Sequence, residues 1–112
     1  IASLIPDTPL VLHGASTVLP EFVKICNEYG GNIPGAQGVP EEMIREATRL
    51  GVCKVNIDTD LRLAMTAAIR KYLAENPEVF DPRKYLGPAR EAIKEMVKHK
   101  IRNVLGSSNR LK

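Results

Sequence analysis

The sequence predicts an α/β fold built on parallel strands, and three observations carry that prediction. Two short apolar runs, "PLVLH" (9–13) and "VCKVNID" (52–58), are bounded by turn residues. Helical periodicity separates them. Both end in polar groups. Strands joined through a helical crossover must be parallel, and such connections are right-handed in nearly all cases. A parallel sheet is buried on both faces, so these strands need neighbours from outside this chain. The alternative is a self-contained α+β domain, with a two-stranded ribbon beside a small helical bundle.

Each element has its own signal. After the first strand, Pro20-Glu21 opens a short helix carrying Phe22, Val23, Ile25 and Cys26, and Gly30-Gly31 stops it. The stretch "GGNIPGAQGVP" is too short for a domain linker and reads as a shaped loop. Pro40 in the first turn, followed by Glu41 and Glu42, marks the next helix N-terminus, where acids complement the dipole. Met43, Ile44, Ala47 and Leu50 give it an apolar face, and Gly51 ends it. A third helix follows the second strand. Thr59 or Asp60 is expected to cap it, Leu61, Ala64, Met65, Ala68, Ile69, Tyr72 and Leu73 line it, and Asn76-Pro77 closes it. The connector "EVFDPRKYLGP" (78–88) leads to a last helix with Tyr85, Ala89, Ile93, Val97 and Ile101 on one face. "GSSNRLK" reads as a frayed polar tail.

Composition excludes several classes. The 44% apolar and 26% charged residues are those of a soluble globular protein, and no apolar run approaches the ~20 residues of a membrane span. No signal-peptide pattern opens the chain. It begins at Ile1 without a start-like segment, and reads as a piece of a longer chain. A net charge of +3 suits a small anionic ligand. Lys/Arg density and an aromatic content of 4% give no nucleic-acid platform. Cys26 and Cys53 have neither zinc-ribbon nor redox spacing, and their apolar surroundings predict two reduced, buried thiols in a cytosolic protein.

The polar groups fall where parallel α/β folds keep their active sites, at the C-terminal ends of the strands. His13 is either a hydrogen-bonded structural residue or a metal ligand. Catalytic zinc takes about three protein ligands, and His99, in the lysine-rich "KHK", is expected to be solvated or to complement a helix C-terminus. Any companions of His13 therefore lie outside this chain. Gly14-Ala15-Ser16 is either a small-residue turn or a nest of backbone N–H groups that cradles phosphate. In "NIDTD", Asn56 and Asp58 point to one side of the strand. Thr59 is either a plain N-cap or part of a phosphate site at a helix start. In β/α barrels a phosphate site is often built from the loops after the seventh and eighth strands. Two consecutive strands with donor-rich exits match that plan.

"LVLHGAS", "GVPEEMIREA", "KVNIDTDLRLA", "AAIRKYLAENP" and "FDPRKYLGPAREAIKEMV" together resemble the C-terminal third of a class II fructose-bisphosphate aldolase, from about Pro9 to Arg110. The resemblance implies the last two β/α units of a (β/α)8 TIM barrel plus a C-terminal helical extension, all 112 residues belonging to one domain. It implies a cytoplasmic, oligomeric, zinc-dependent lyase that cleaves fructose 1,6-bisphosphate to dihydroxyacetone phosphate and glyceraldehyde 3-phosphate, and it leaves room for a monovalent cation. His13 is then the last zinc ligand. Gly14, Ala15 and Ser16 form the loop that binds the phosphate of dihydroxyacetone phosphate. Asn56, Ile57, Asp58 and Thr59 form the second half of that site, with Thr59 on phosphate and Asn56 and Asp58 towards the triose. Arg83 reaches the other phosphate of a substrate in a neighbouring subunit of a homo-oligomer, where a guanidinium fork suits the ligand. On sequence alone Arg83 is a surface charge. The resemblance puts the remaining zinc ligands and the catalytic acid/base upstream, so none of this chain's residues is assigned a proton-transfer role. Zinc would polarise the ketone carbonyl as a Lewis acid, while phosphate grips orient the substrate. The rival readings are a tagatose-bisphosphate aldolase, from which "NIDTD" departs, and a non-catalytic binding module.

Overall fold

The computed structural model describes residues 1–35 and 37–111. A 3₁₀ turn at Ala2–Leu4 precedes β1 (Leu10–Leu12), α1 (Pro20–Glu28), α2 (Glu41–Arg49), β2 (Val52–Val55), α3 (Thr59–Glu75) and α4 (Pro82–His99). A π-helical segment, Lys100–Leu105, continues α4. The order matches the sequence expectation, and β1 and β2 pair in parallel with Leu12 opposite Val55. The fold is mixed α/β, with a two-stranded sheet. The shaped loop between α1 and α2 is described except for Ala36, which lies outside the described residues, as does Lys112 of the tail.

The core sits where the strand exits meet α2 and the π segment. Ala15, Ile44 and Val104 are buried together, with Leu12, Val39 and Val55 packed on them. Burying an aliphatic side chain of that size contributes roughly 1.5–3 kcal/mol. α3 and α4 form a long helical hairpin, and α1 packs on α3. The strands themselves are poorly covered: Val11 is 48% exposed, and β2 alternates no buried face. That is how parallel strands look without sheet neighbours.

Several expectations are corrected. Cys26 is buried, but Cys53 is exposed, because β2 has no layer covering the side on which it stands. Both are free thiols. Burial pushes the Cys26 thiol up, against the opposing charge of Arg70. Residues 82–88, read as connector, are the first turns of α4. Asp81 caps that helix by accepting the Arg83 N–H at 2.9 Å, and Pro82 occupies its first position. Pro88 lies inside the helix but near its start, where little of the hydrogen-bond ladder precedes it. Gly106 is half-buried and Ser107, though exposed, is held by its backbone rather than frayed. Ser107 N–H donates to Ile101 O at 3.0 Å, and Gly106 lies so close to the Arg45 guanidinium that a Cβ there would collide with it. No helix among the described residues is long and apolar enough to cross a membrane.

Candidate active site at the strand exits

β1 delivers His13 and β2 delivers Asn56 to the same end of the sheet. The Asn56 backbone N–H extends the ladder to Leu12 O at 3.0 Å, which fixes the two exits side by side. The Asn56 side-chain amide then donates to His13 Nδ1 at 2.9 Å and stands 3.4 Å from Nε2. His13 is exposed. Nδ1 spends its lone pair on the Asn56 donor here; with that amide turned so that Oδ1 accepts from Nδ1–H, Nε2 carries the lone pair a metal would use, and the imidazole then suits one ligand position. It does not make a centre: no group of three or more His, Cys, Asp or Glu among the described residues could hold a metal ion.

The loop after His13 changes character residue by residue. Gly14 adopts φ +66° with nothing near the position of a Cβ, a conformation that favours glycine. Ala15 is buried as a whole, 1% exposed, its methyl in the core, so the accessible backbone of this loop is that of Gly14 and Ser16. Ser16 is half-buried, and its carbonyl accepts the Val39 N–H at 3.0 Å. Among the described residues, the amides of Gly14, Ala15 and Ser16 donate to no protein acceptor. The next two amides are fully engaged. Thr17 N–H donates to both Asp60 carboxylate oxygens at 3.1 Å, and Val18 N–H donates to Oδ1 at 2.7 Å. Val18 is held at φ +49°, a conformation costing a β-branched residue about 1–3 kcal/mol.

Asp60 was expected as a helix cap and is instead this buried acceptor, 1% exposed. Lys100 reaches it from the start of the π segment at 3.0 Å, and also donates to Thr17 Oγ1 at 2.8 Å and Glu41 Oε1 at 2.7 Å. Burial raises the Asp60 carboxyl, but bonds from Thr17, Lys100 and Val18 outweigh it and hold the group below its ordinary value. Glu41 behaves alike: burial raises it, and Lys100 and His99 bring it down. His99, expected to be solvated or to complement a helix C-terminus, stands in the last turn of α4, donates from Nε2 to Glu41 Oε2 at 2.6 Å and accepts from Asn103 at 2.9 Å. The sequence signal for this network was thin: a second acid in "NIDTD" and a lysine in "KHK".

The start of α3 faces the same loop. Asp58 occupies the N-cap position without capping, because its carboxylate pairs with Arg62 at 2.7 Å. Leu61 N–H donates to Asp58 O at 3.0 Å and Asp60 is buried, so the N–H group left to a ligand or water at this helix start is that of Thr59. Thr59 and Asp58 are exposed, and Ile57 is half-buried. Arg83 is not brought to this cluster. It sits at the start of α4, gripped by Asp81 at 2.7 Å, whose carboxyl it holds below the ordinary range. Lys100 lies just past the other end of that helix, roughly 25 Å away at 1.5 Å per residue. A cleft of about 610 Å³ lined by Arg45, Arg49, Lys54 and Arg110 contains none of these residues.

An imidazole beside unbonded backbone amides at the exits of parallel strands lies where parallel α/β folds bind their ligands. The family model described as "Fructose-bisphosphate aldolase class-II" matches residues 1–110. The chain is 56% identical over 110 residues to a fructose-bisphosphate aldolase of Treponema pallidum, covering 98% of this chain and 33% of that protein. It is 54% identical to one from Thermus caldophilus (98% and 35%) and 55% identical to one from Giardia intestinalis (84% and 29%). The chain belongs to the class II fructose-bisphosphate aldolase family. It spans about a third of the length of these curated relatives.

Proposed function

We propose that residues 1–112 are the C-terminal part of a single (β/α)8 barrel domain, and that the complete enzyme reversibly cleaves fructose 1,6-bisphosphate to dihydroxyacetone phosphate and glyceraldehyde 3-phosphate in the cytoplasm. The observation that carries this reading is His13 and Asn56 meeting at the strand exits beside the open Gly14 and Ser16 amides, in a chain whose family is known. His13 would supply one imidazole to a zinc ion, with the other ligands outside this chain. Bound there, the metal would act as a Lewis acid on the substrate carbonyl. The Gly14 and Ser16 amides and the N-terminus of α3 at Thr59 would grip one substrate phosphate. Asn56, Ile57 and Asp58 would line the triose.

Held at that end, the substrate keeps its reacting bond in place through groups that do not react, which lowers the entropic part of the barrier. Arg83 projects from the far end of α4 and is 90% exposed, which suits a guanidinium serving the second phosphate of a neighbouring subunit in a homo-oligomer. Its fork would exchange Asp81 for that phosphate. The test is turnover by the full-length protein of fructose and tagatose 1,6-bisphosphates. Preferential cleavage of the fructose ester, lost together with stoichiometric zinc in His13→Ala, is expected. Full activity with zinc retained in that variant would remove His13 from the metal site.

A further inference from the structure

Between the open amides of Gly14 and Ser16 and the clamped amides of Thr17 and Val18 the loop divides sharply. We propose that Asp60 and Lys100 are positioning residues whose buried ion pair holds this loop so that its open amides face a phosphate monoester. The claim rests on the reading of that loop as a phosphate site.

Three features of one network converge. The Asp60 carboxylate accepts both backbone amides and the Lys100 ammonium, so its oxygens are saturated by the loop on one side and the π segment on the other. Val18 is kept in a left-handed conformation that a β-branched residue avoids, and its N–H bond to Asp60, at 2.7 Å, is the contact that holds it there. Such strain persists only where the surroundings over-determine it, and it gathers at functional sites. Lys100 is delivered by the first residue of a π-helical segment, a geometry also frequent at such sites. An apolar plug would fill the same space, often at no loss of stability. The carboxylate takes two successive amides out of play, holds the Lys100 ammonium as well, and leaves those of Gly14 and Ser16 free.

The test uses the full-length protein, with inorganic phosphate as the probe. In Asp60→Asn and Lys100→Met, the KM for fructose 1,6-bisphosphate and the inhibition constant of phosphate should both rise about ten-fold or more, the loss of an oriented, charge-assisted contact. Zinc content should stay at the parent level, and Lys100→Arg should recover most of the phosphate affinity. A phosphate constant within about two-fold of the parent in folded, zinc-replete variants would overturn the proposal. Should those variants fail to fold, amide exchange in the parent decides. Thr17 and Val18 should be protected throughout, and Gly14 and Ser16 only once phosphate is added. Gly14 and Ser16 amides indifferent to saturating phosphate, or unprotected Thr17 and Val18, would overturn it. A parent that does not cleave the bisphosphate would overturn the aldolase reading instead, and the exchange readout would still judge the clamp.

Discussion

Asn56 Nδ2 lies 2.9 Å from His13 Nδ1, so the last polar groups of two parallel strands meet in one hydrogen bond. An acceptor on the second ring nitrogen orients a metal-ligating imidazole, a role the Asn56 Oδ1 takes once the amide is turned, and loss of such a partner typically costs about 10–100-fold in metal affinity or activity. Asn56→Ala in the full-length protein should therefore weaken zinc retention as well as turnover. Competition with a chromophoric chelator measures the first. Unaltered zinc affinity with lost turnover would confine Asn56 to contact with the triose.

Gly38 supports the loop after β1 from behind. A Cβ at this position would run into the backbone of Ser16 and Thr17, where Val39 N–H also bonds Ser16 O at 3.0 Å. Backbone cannot swing aside as a side chain can. Gly38→Ala should displace the loop, raising the KM for the bisphosphate about ten-fold while zinc content is unchanged. Gly35→Ala, where a Cβ meets nothing, is the matched control. Equal KM values for the two variants would remove Gly38 from the loop's support.

What the sequence showed was whatever local chemistry decides. Element order, the parallel pairing and the exits at His13 and Asn56 follow from apolar runs, turn residues and crossover geometry. What it concealed was decided by partners distant in the chain. Asp60 looks like a helix cap because capping is local, yet the Thr17 and Val18 amides and Lys100 take its carboxylate. His99 looks solvated until Glu41 is brought to it. Cys53 has the neighbours of a buried residue in sequence, but burial in a parallel strand depends on layers this chain does not contribute.

The ion pair predicts an asymmetry in stability. The Lys100 and Asp60 side chains are 4% and 0% exposed. Removing one partner leaves a buried charge uncompensated, which costs about 3–5 kcal/mol. Replacing both with apolar residues of similar volume is often neutral or stabilising. Lys100→Met should thus lower the urea midpoint of the full-length protein clearly, and adding Asp60→Leu should recover much of the loss. A double variant less stable than Lys100→Met would show that the loop amides, not the unpaired charge, dominate the cost.

The same carboxylates set an acid limb. Asp60 and Glu41 are both held below their ordinary values in the folded chain. In the unfolded chain they bind protons at higher pH, so their stabilisation is complete above the ordinary carboxylate range. It is lost as pH falls through the lower, folded values. Stability should therefore be flat in these groups from about pH 6 to 8 and decline below about pH 4.5. Urea midpoints across that range measure it. Asp60→Asn should shallow the decline, and an unchanged slope would assign the acid limb to other groups.

The last prediction concerns the 112-residue chain by itself. Its radius of gyration is 16.8 Å, against about 13 Å for a compact domain of similar length. The α3–α4 hairpin extends beyond the small core of Ala15, Ile44 and Val104. Leu86, Val97 and Ile101 along its second helix remain exposed, as does Val11 in the sheet. Apolar surface left in water contributes nothing to folding, at roughly 25 cal/mol per Å² forgone. Expressed alone, the chain should keep helical circular dichroism, bind a hydrophobic dye and unfold over a broad range. Ile44→Ala, which costs about 2–5 kcal/mol in an ordinary core, should abolish what cooperativity remains. A sharp transition without dye binding would mean that this β/α pair closes its own core, and would favour an independent binding module over part of a larger barrel.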